Sequence, residues 1–185
     1  MIMRRLLDSL KFSLGMLVLF VNLCTSSPVF ASSQAASEQT LIAAFLYNFL
    51  KFTEWPEDSI ENEITLCADK NSAFEELKAI SGKSVQSKPV QVKFISLSDS
   101  YKQCQLLFLS RDISADNIRE WINLTKGQPT LVVSNASGFL DMGGMIALIN
   151  DGKNLNFSVN LEVTRNSSLK LNAQLLQIAR EIRGR

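Results

Sequence analysis

CQLLFLSRDISADNIREWINLTKGQPTLVVSN, residues 104–135, holds two apolar runs on either side of an amphipathic one. CQLLFLS (104–110) is continuously apolar, the pattern of a strand buried on both faces. Residues 114–124 open on Ser114, a good helix cap, and put Ile118, Trp121 and Ile122 on one helical face. TLVVSN (130–135) is a second strand of the buried type. Strand, helix and strand in succession are the building unit of a layered α/β domain.

The same alternation continues outward. Upstream, ITLCAD (64–69) alternates large and small residues and reads as a strand. SAFEELKAI (72–80) carries Ser72 with Glu75 three positions on, a capping-box pattern that predicts a short helix. VQVKFIS (90–96) alternates as a strand does. AAFLYNFLKFTEWP (43–56) predicts a helix whose core stripe is Leu41, Phe45, Phe49 and Phe52, widened by Leu46 and Leu50. Pro56 disfavours helical geometry at Trp55, so this helix should end near Glu54. Tyr47 and Trp55 lie off the stripe, where they either cap the core or face a partner.

Downstream, GFLDMGG turns the chain, and MIALIN (145–150) and NLNFSVN (154–160) read as a hairpin around Asp151-Gly152. A short apolar patch, LKL (169–171), precedes an expected helix over residues 172–183, with Leu175, Leu176, Ile178, Ala179 and Ile182 as its buried face. The expectation is an α/β fold: a layered sheet of about five to six strands flanked by helices, in one domain over residues 39–185.

The first residues differ in kind. Arg4, Arg5 and Lys11 precede an apolar run of thirteen residues, Phe12 to Cys24, and Val29 and Ala31 follow at the small-residue positions of a cleavage site. Residues 1–31 read as a secretory signal peptide, too short for a spanning helix, which needs about 20 residues. Residues 32–38 (SSQAASE) read as a flexible leader. Cleavage removes three of the 19 basic and one of the 18 acidic residues, leaving a net charge of −1. Near-neutral charge gives no footprint for nucleic acid and no polybasic stripe for a membrane, so neither is expected as a partner of the exported chain. Two cysteines remain after cleavage, Cys67 and Cys104. An even count in an oxidising compartment suggests a disulfide, while two separate buried thiols are the other reading.

The chain has no histidine. That excludes Ser-His and Cys-His nucleophile pairs and any histidine metal ligand, so no catalytic residue, metal or cofactor is assigned. SGKS (81–84) is not a phosphate loop, because Leu77 stands where the first glycine is required. SGFLDMGGM (137–145) lacks the glycine order of a dinucleotide site. Gly143-Gly144 instead reads as backbone freedom at the entry to a strand, with Phe139, Met142 and Met145 packing inside. Asn123, Asn135 and Asn166 begin glycosylation acceptor patterns that matter only in a eukaryote. The carboxylates are scattered, with no pair set apart for a two-carboxylate hydrolase.

The aromatic stretch AAFLYNFLKFTEWP resembles the N-terminal signature of the YfiR family. ITLCADKN, VKFIS and CQLLFLS follow in family order, as do LVVSNASGFLDMGGMIALIN and NFSVNLEVTRNSSLKLNAQLLQIA, so the resemblance covers nearly all of residues 40–183. It implies a periplasmic α/β protein that forms a homodimer. It further implies a repressor that binds the periplasmic sensor part of an inner-membrane diguanylate cyclase, lowering cyclic di-GMP and disfavouring biofilm. It also implies that Cys67 and Cys104 pair. A second cysteine pair found in some members is replaced here by Leu140 and Ala147. Ile146, Leu148, Ser158, Thr164 and Ile182 are the expected partner-binding positions. A small-ligand carrier or sensor is the alternative reading, since α/β sheets offer crevices at strand ends.

Overall fold

The computed structural model describes residues 37–184; the expected signal peptide and all but the last two residues of the leader lie outside them. The long helix α1 (Glu38–Lys51) starts on Ser37, whose hydroxyl accepts from the Thr40 amide. It ends at Lys51, earlier than expected, because Thr53–Glu54 form a short strand β1. The sheet strands β2 (Ile64–Asp69), β4 (Lys88–Ile95), β5 (Leu106–Leu109), β6 (Leu131–Ser134) and β7 (Ile146–Asn150) are parallel neighbours in the order β4-β2-β5-β6-β7. Helix α3 (Ala115–Thr125) joins β5 to β6, and Ser114 caps it by accepting from the Asn117 amide. The strand–helix–strand reading of residues 104–135 therefore holds.

The sheet is wider than five or six strands. On one side β3 (Ser84–Val85) folds back on β4; on the other β8 (Leu155–Asn160) pairs antiparallel with β7, and β10 (Glu181–Arg183) adds parallel to β8. The result is an eight-stranded mixed sheet, with β1 and β9 (Lys170–Leu171) forming a separate two-stranded ladder. Strands of two or three residues carry too little pattern to be read from sequence.

Three local expectations need correction. The capping box at Ser72 does not form: α2 spans only Glu75–Lys78, and the Ser72 hydroxyl accepts from the Ser110 amide at 2.8 Å, tying down the end of β5. The helix over residues 172–183 is one short turn, α5 (Ala173–Gln177), after which the chain becomes β10. The exposed edge of β8 offers backbone groups that a marginal helix cannot match, and the Arg180 amide donates to Phe157 O at 2.8 Å as pairing begins. The core face of α1 is also rotated: Ile42, Ala43, Leu46, Phe49 and Leu50 are buried, whereas Leu41 is 37% exposed and Phe45 and Phe52 are only partly covered.

The two faces of the sheet carry separate cores. On one, α1 packs on Leu66, Leu106, Phe108, Ile146, Phe157 and Val159, and the rings of Phe45, Phe49 and Phe157 meet at 5.1–5.8 Å. On the other, α3 covers Cys67, Leu107, Leu109 and Val132 with Trp121 and Ile118. Burying each large side chain contributes roughly 1.5–3 kcal/mol.

Candidate functional site: the Gly-Gly-Met turn and the closing block

Leaving β6, the chain must reverse along the sheet to start β7 parallel to it. Gly138 (φ +69°) and Gly143 (φ +96°) take left-handed conformations that other residues rarely adopt. Gly144 serves a different need: a Cβ there would fall 2.2 Å from the Phe139 ring, which is buried against it. The turn closes on its own backbone, with the Gly144 amide donating to Phe139 O at 3.0 Å. Phe139 and Met145 are buried and Met142 is partly buried, as core packing requires.

The closing block locks onto this turn. The Asn160 amide donates to Met145 O at 2.8 Å, and the Asn160 side chain caps helix α4 (Leu161–Asn166) by accepting from the Val163 amide. The Thr164 hydroxyl donates to Asn160 O at 2.7 Å. From β10, Arg183 bonds to Asp141 of the turn at 2.6 Å and to Glu181 at 2.8 Å, and bonds to Glu181 and Asp141 hold its guanidinium pKa above its ordinary value.

Cys67 of β2 and Cys104, just before β5, are joined as a disulfide with Cα atoms 5.6 Å apart. Several polar contacts that the sequence did not advertise tie the elements together. Gln105 is 5% exposed, accepts from the Thr65 amide at 2.7 Å and donates to Ser59 O at 2.7 Å. Trp55 is buried, and its indole N–H donates to Gln105 O at 3.1 Å. Trp121 Nε1 donates to the buried carboxylate of Asp69 at 3.0 Å. Tyr47 reaches across to Ser84 O at 2.9 Å, with the ammonium of Lys83 5.1 Å from its ring. Both rings that stood open between core and partner thus have internal partners.

Of the five expected partner-binding positions, Ile146, Leu148, Ser158 and Thr164 are at most 3% exposed. Ile146 and Leu148 belong to the core beneath α1, Thr164 is bonded within α4, and Ser158 lies on the opposite face of the sheet. Ile182, on β10, is half-buried. The structure brings Ile146 and Ile182 next to the same Val159, while Ile146, Leu148, Ser158 and Thr164 do not reach the outside. Among the residues of this part of the molecule that reach solvent are apolar ones flanking α1 and α5, beside the charged Glu181 and Arg183. Ile178 is 70% exposed, and Phe45, Phe52, Leu175 and Ile178 line a notch of about 200 Å³.

The arrangement is a small α/β domain around one mixed sheet, fixed by a disulfide and by a glycine turn bound to its closing block. The chain belongs to the YfiR/HmsC-like family, which matches residues 39–180. No curated protein matches it.

Proposed function

We propose that this chain is a periplasmic negative regulator of an inner-membrane diguanylate cyclase. Residues 1–31 direct its export, and the folded domain binds the periplasmic sensor part of the cyclase, lowering cyclic di-GMP and restraining biofilm formation. The observation that carries the reading is the family match over residues 39–180. The missing histidine agrees with a binding role, since it removes the commonest general base. Repression requires that the chain bind the inactive cyclase more tightly than the active one; equal affinity would shift nothing.

The surface that suits this role is the apolar flank of α1 and the closing block: Leu41, Phe45, Phe52, Ile178 and Ile182. Leu41 and Ile178 are exposed large hydrophobics, and the other three are partly covered. The buried positions Ile146 and Leu148 support this flank from beneath, and a homodimer would use part of the same apolar surface.

Titrating the protein with the periplasmic portion of a cyclase from the same organism tests the proposal. Ile178→Asp and Leu41→Asp should weaken binding at least about tenfold while leaving the melting temperature unchanged, because each places a charge in an apolar interface without disturbing the core. Binding that survives both substitutions would place the interface elsewhere; no binding to any periplasmic cyclase segment would remove the proposal.

A further inference from the structure

Helix α3 covers the second face of the sheet only over β2, β5 and β6. Beyond it, at the carboxyl ends of β5 and β6, lies a cleft of about 830 Å³. Its lining runs from the ends of β5 and β6 across β7 and β8 to β10. Open α/β sheets bind ligands in such crevices, and the volume lies within the roughly 300–1,000 Å³ of small-molecule sites.

Its lining has three parts. The floor is apolar, formed by Ile118, Leu140 and Ala147. Its walls carry four carboxylates, those of Glu38, Asp112, Asp141 and Glu181, against two guanidiniums, those of Arg111 and Arg183. Both guanidiniums are already engaged, Arg111 with Glu38 and Arg183 with Asp141 and Glu181. Asp112 accepts only from the Ser110 hydroxyl among the described residues. The third part is Ser158. It is 1% exposed, forms part of the cleft wall opposite Ala147, and its hydroxyl has no hydrogen-bond partner among the described residues. A buried hydroxyl left unpaired is destabilising, and such a group at a ligand site is satisfied by the ligand.

We infer that this cleft binds a small organic amine: a protonated nitrogen carried on an apolar body. The excess of carboxylates favours a cation and opposes an anion. The apolar floor takes the hydrocarbon body. The ammonium displaces Arg183 from Glu181, the β10 neighbour of Ser158, and the Ser158 hydroxyl accepts a hydrogen bond from it. None of the flank residues Leu41, Phe45, Phe52, Ile178 and Ile182 lines the cleft, so a small solute and a protein partner can be held at once. The inference does not depend on the regulatory reading.

The test uses the full-length protein as the cell processes it, with phenethylamine as the probe and 3-phenylpropanoate as its counterpart of like shape and opposite charge. Nuclear magnetic resonance titration should show phenethylamine shifting amides of residues 135–149, with 3-phenylpropanoate at least about tenfold weaker. Ser158→Ala removes the unpaired hydroxyl and should weaken the amine about tenfold, as loss of a hydrogen bond to a charged group does, without lowering the melting temperature. Ile149→Trp, at a half-exposed position on the wall, should fill the cleft and abolish binding. Equal binding of the acid, no shifts with the amine, or amine binding unchanged in both variants would each overturn the inference. Cyclic di-GMP levels, read separately, would be unaffected by that failure.

Discussion

The two faces of the sheet are built differently. Beneath α1 the packing is continuous and apolar, from Val90 on one side through Leu66, Leu106 and Ile146 to Val159 near the other. Beneath α3 it is interrupted: a disulfide and a tryptophan–carboxylate bond hold the centre, and past Ala147 the face becomes polar and opens into the cleft. One face therefore supplies most of the stability, and the other keeps uncovered surface that stability does not require. Surface left free of packing is where binding can be placed at little cost.

Substitutions should separate the faces, beginning with the largest effect. Phe49→Ala empties a fully buried ring site beneath α1 and should cost about 3–5 kcal/mol in urea unfolding. Phe45→Ala, on the flank, should cost clearly less; equal losses would mean that the flank is core. On the other face, replacing Cys67 and Cys104 together by serine opens a link across a sequence separation of 37 residues. The loss should be about 3–4 kcal/mol in the chain-entropy account, seen equally on reduction of the unmodified protein. Gly144→Ala drives a methyl group into the Phe139 ring and should cost about 1–3 kcal/mol. Indifference there would show that the turn can shift.

The smallest effect is electrostatic. Amides of Asn154 and Lys153 donate to Asp151 and hold its carboxyl below its ordinary value; the Ser96 amide and hydroxyl, with Lys70, do the same for Asp99. A lowered folded value contributes stability that is fully present above the unfolded value of about 4 and is lost as the pH falls through the lowered one. Asp151→Asn should therefore slightly lower the melting temperature at neutral pH and flatten its fall in acid. Both groups are exposed, so the change is minor.

Much of the frame was legible because long buried strands advertise themselves. CQLLFLS and TLVVSN have no polar face to confuse their reading, and Ser114 marked the start of α3 correctly. The orientation of α1 was not legible, because residues 41–47 are almost all apolar and several stripes fit equally well. Only packing chose Ile42 and Ala43 over Leu41. The β3–β4 hairpin turns through Gln86 and Ser87, both at positive φ, without the glycine that would have signalled it. Gln105 looked like one polar residue at the start of an apolar run; its role as a buried clamp depends on strands far away in sequence. For the expected partner positions on β7 and β8, alternation could not say which side of the sheet would be covered.

The regulatory role is tested most directly by cellular cyclic di-GMP, measured with the gene intact, deleted, and restored with or without residues 1–31. The account predicts a rise on deletion that only the form carrying residues 1–31 reverses. An unchanged level on deletion while a candidate cyclase is expressed, or full reversal by the form lacking residues 1–31, would contradict it.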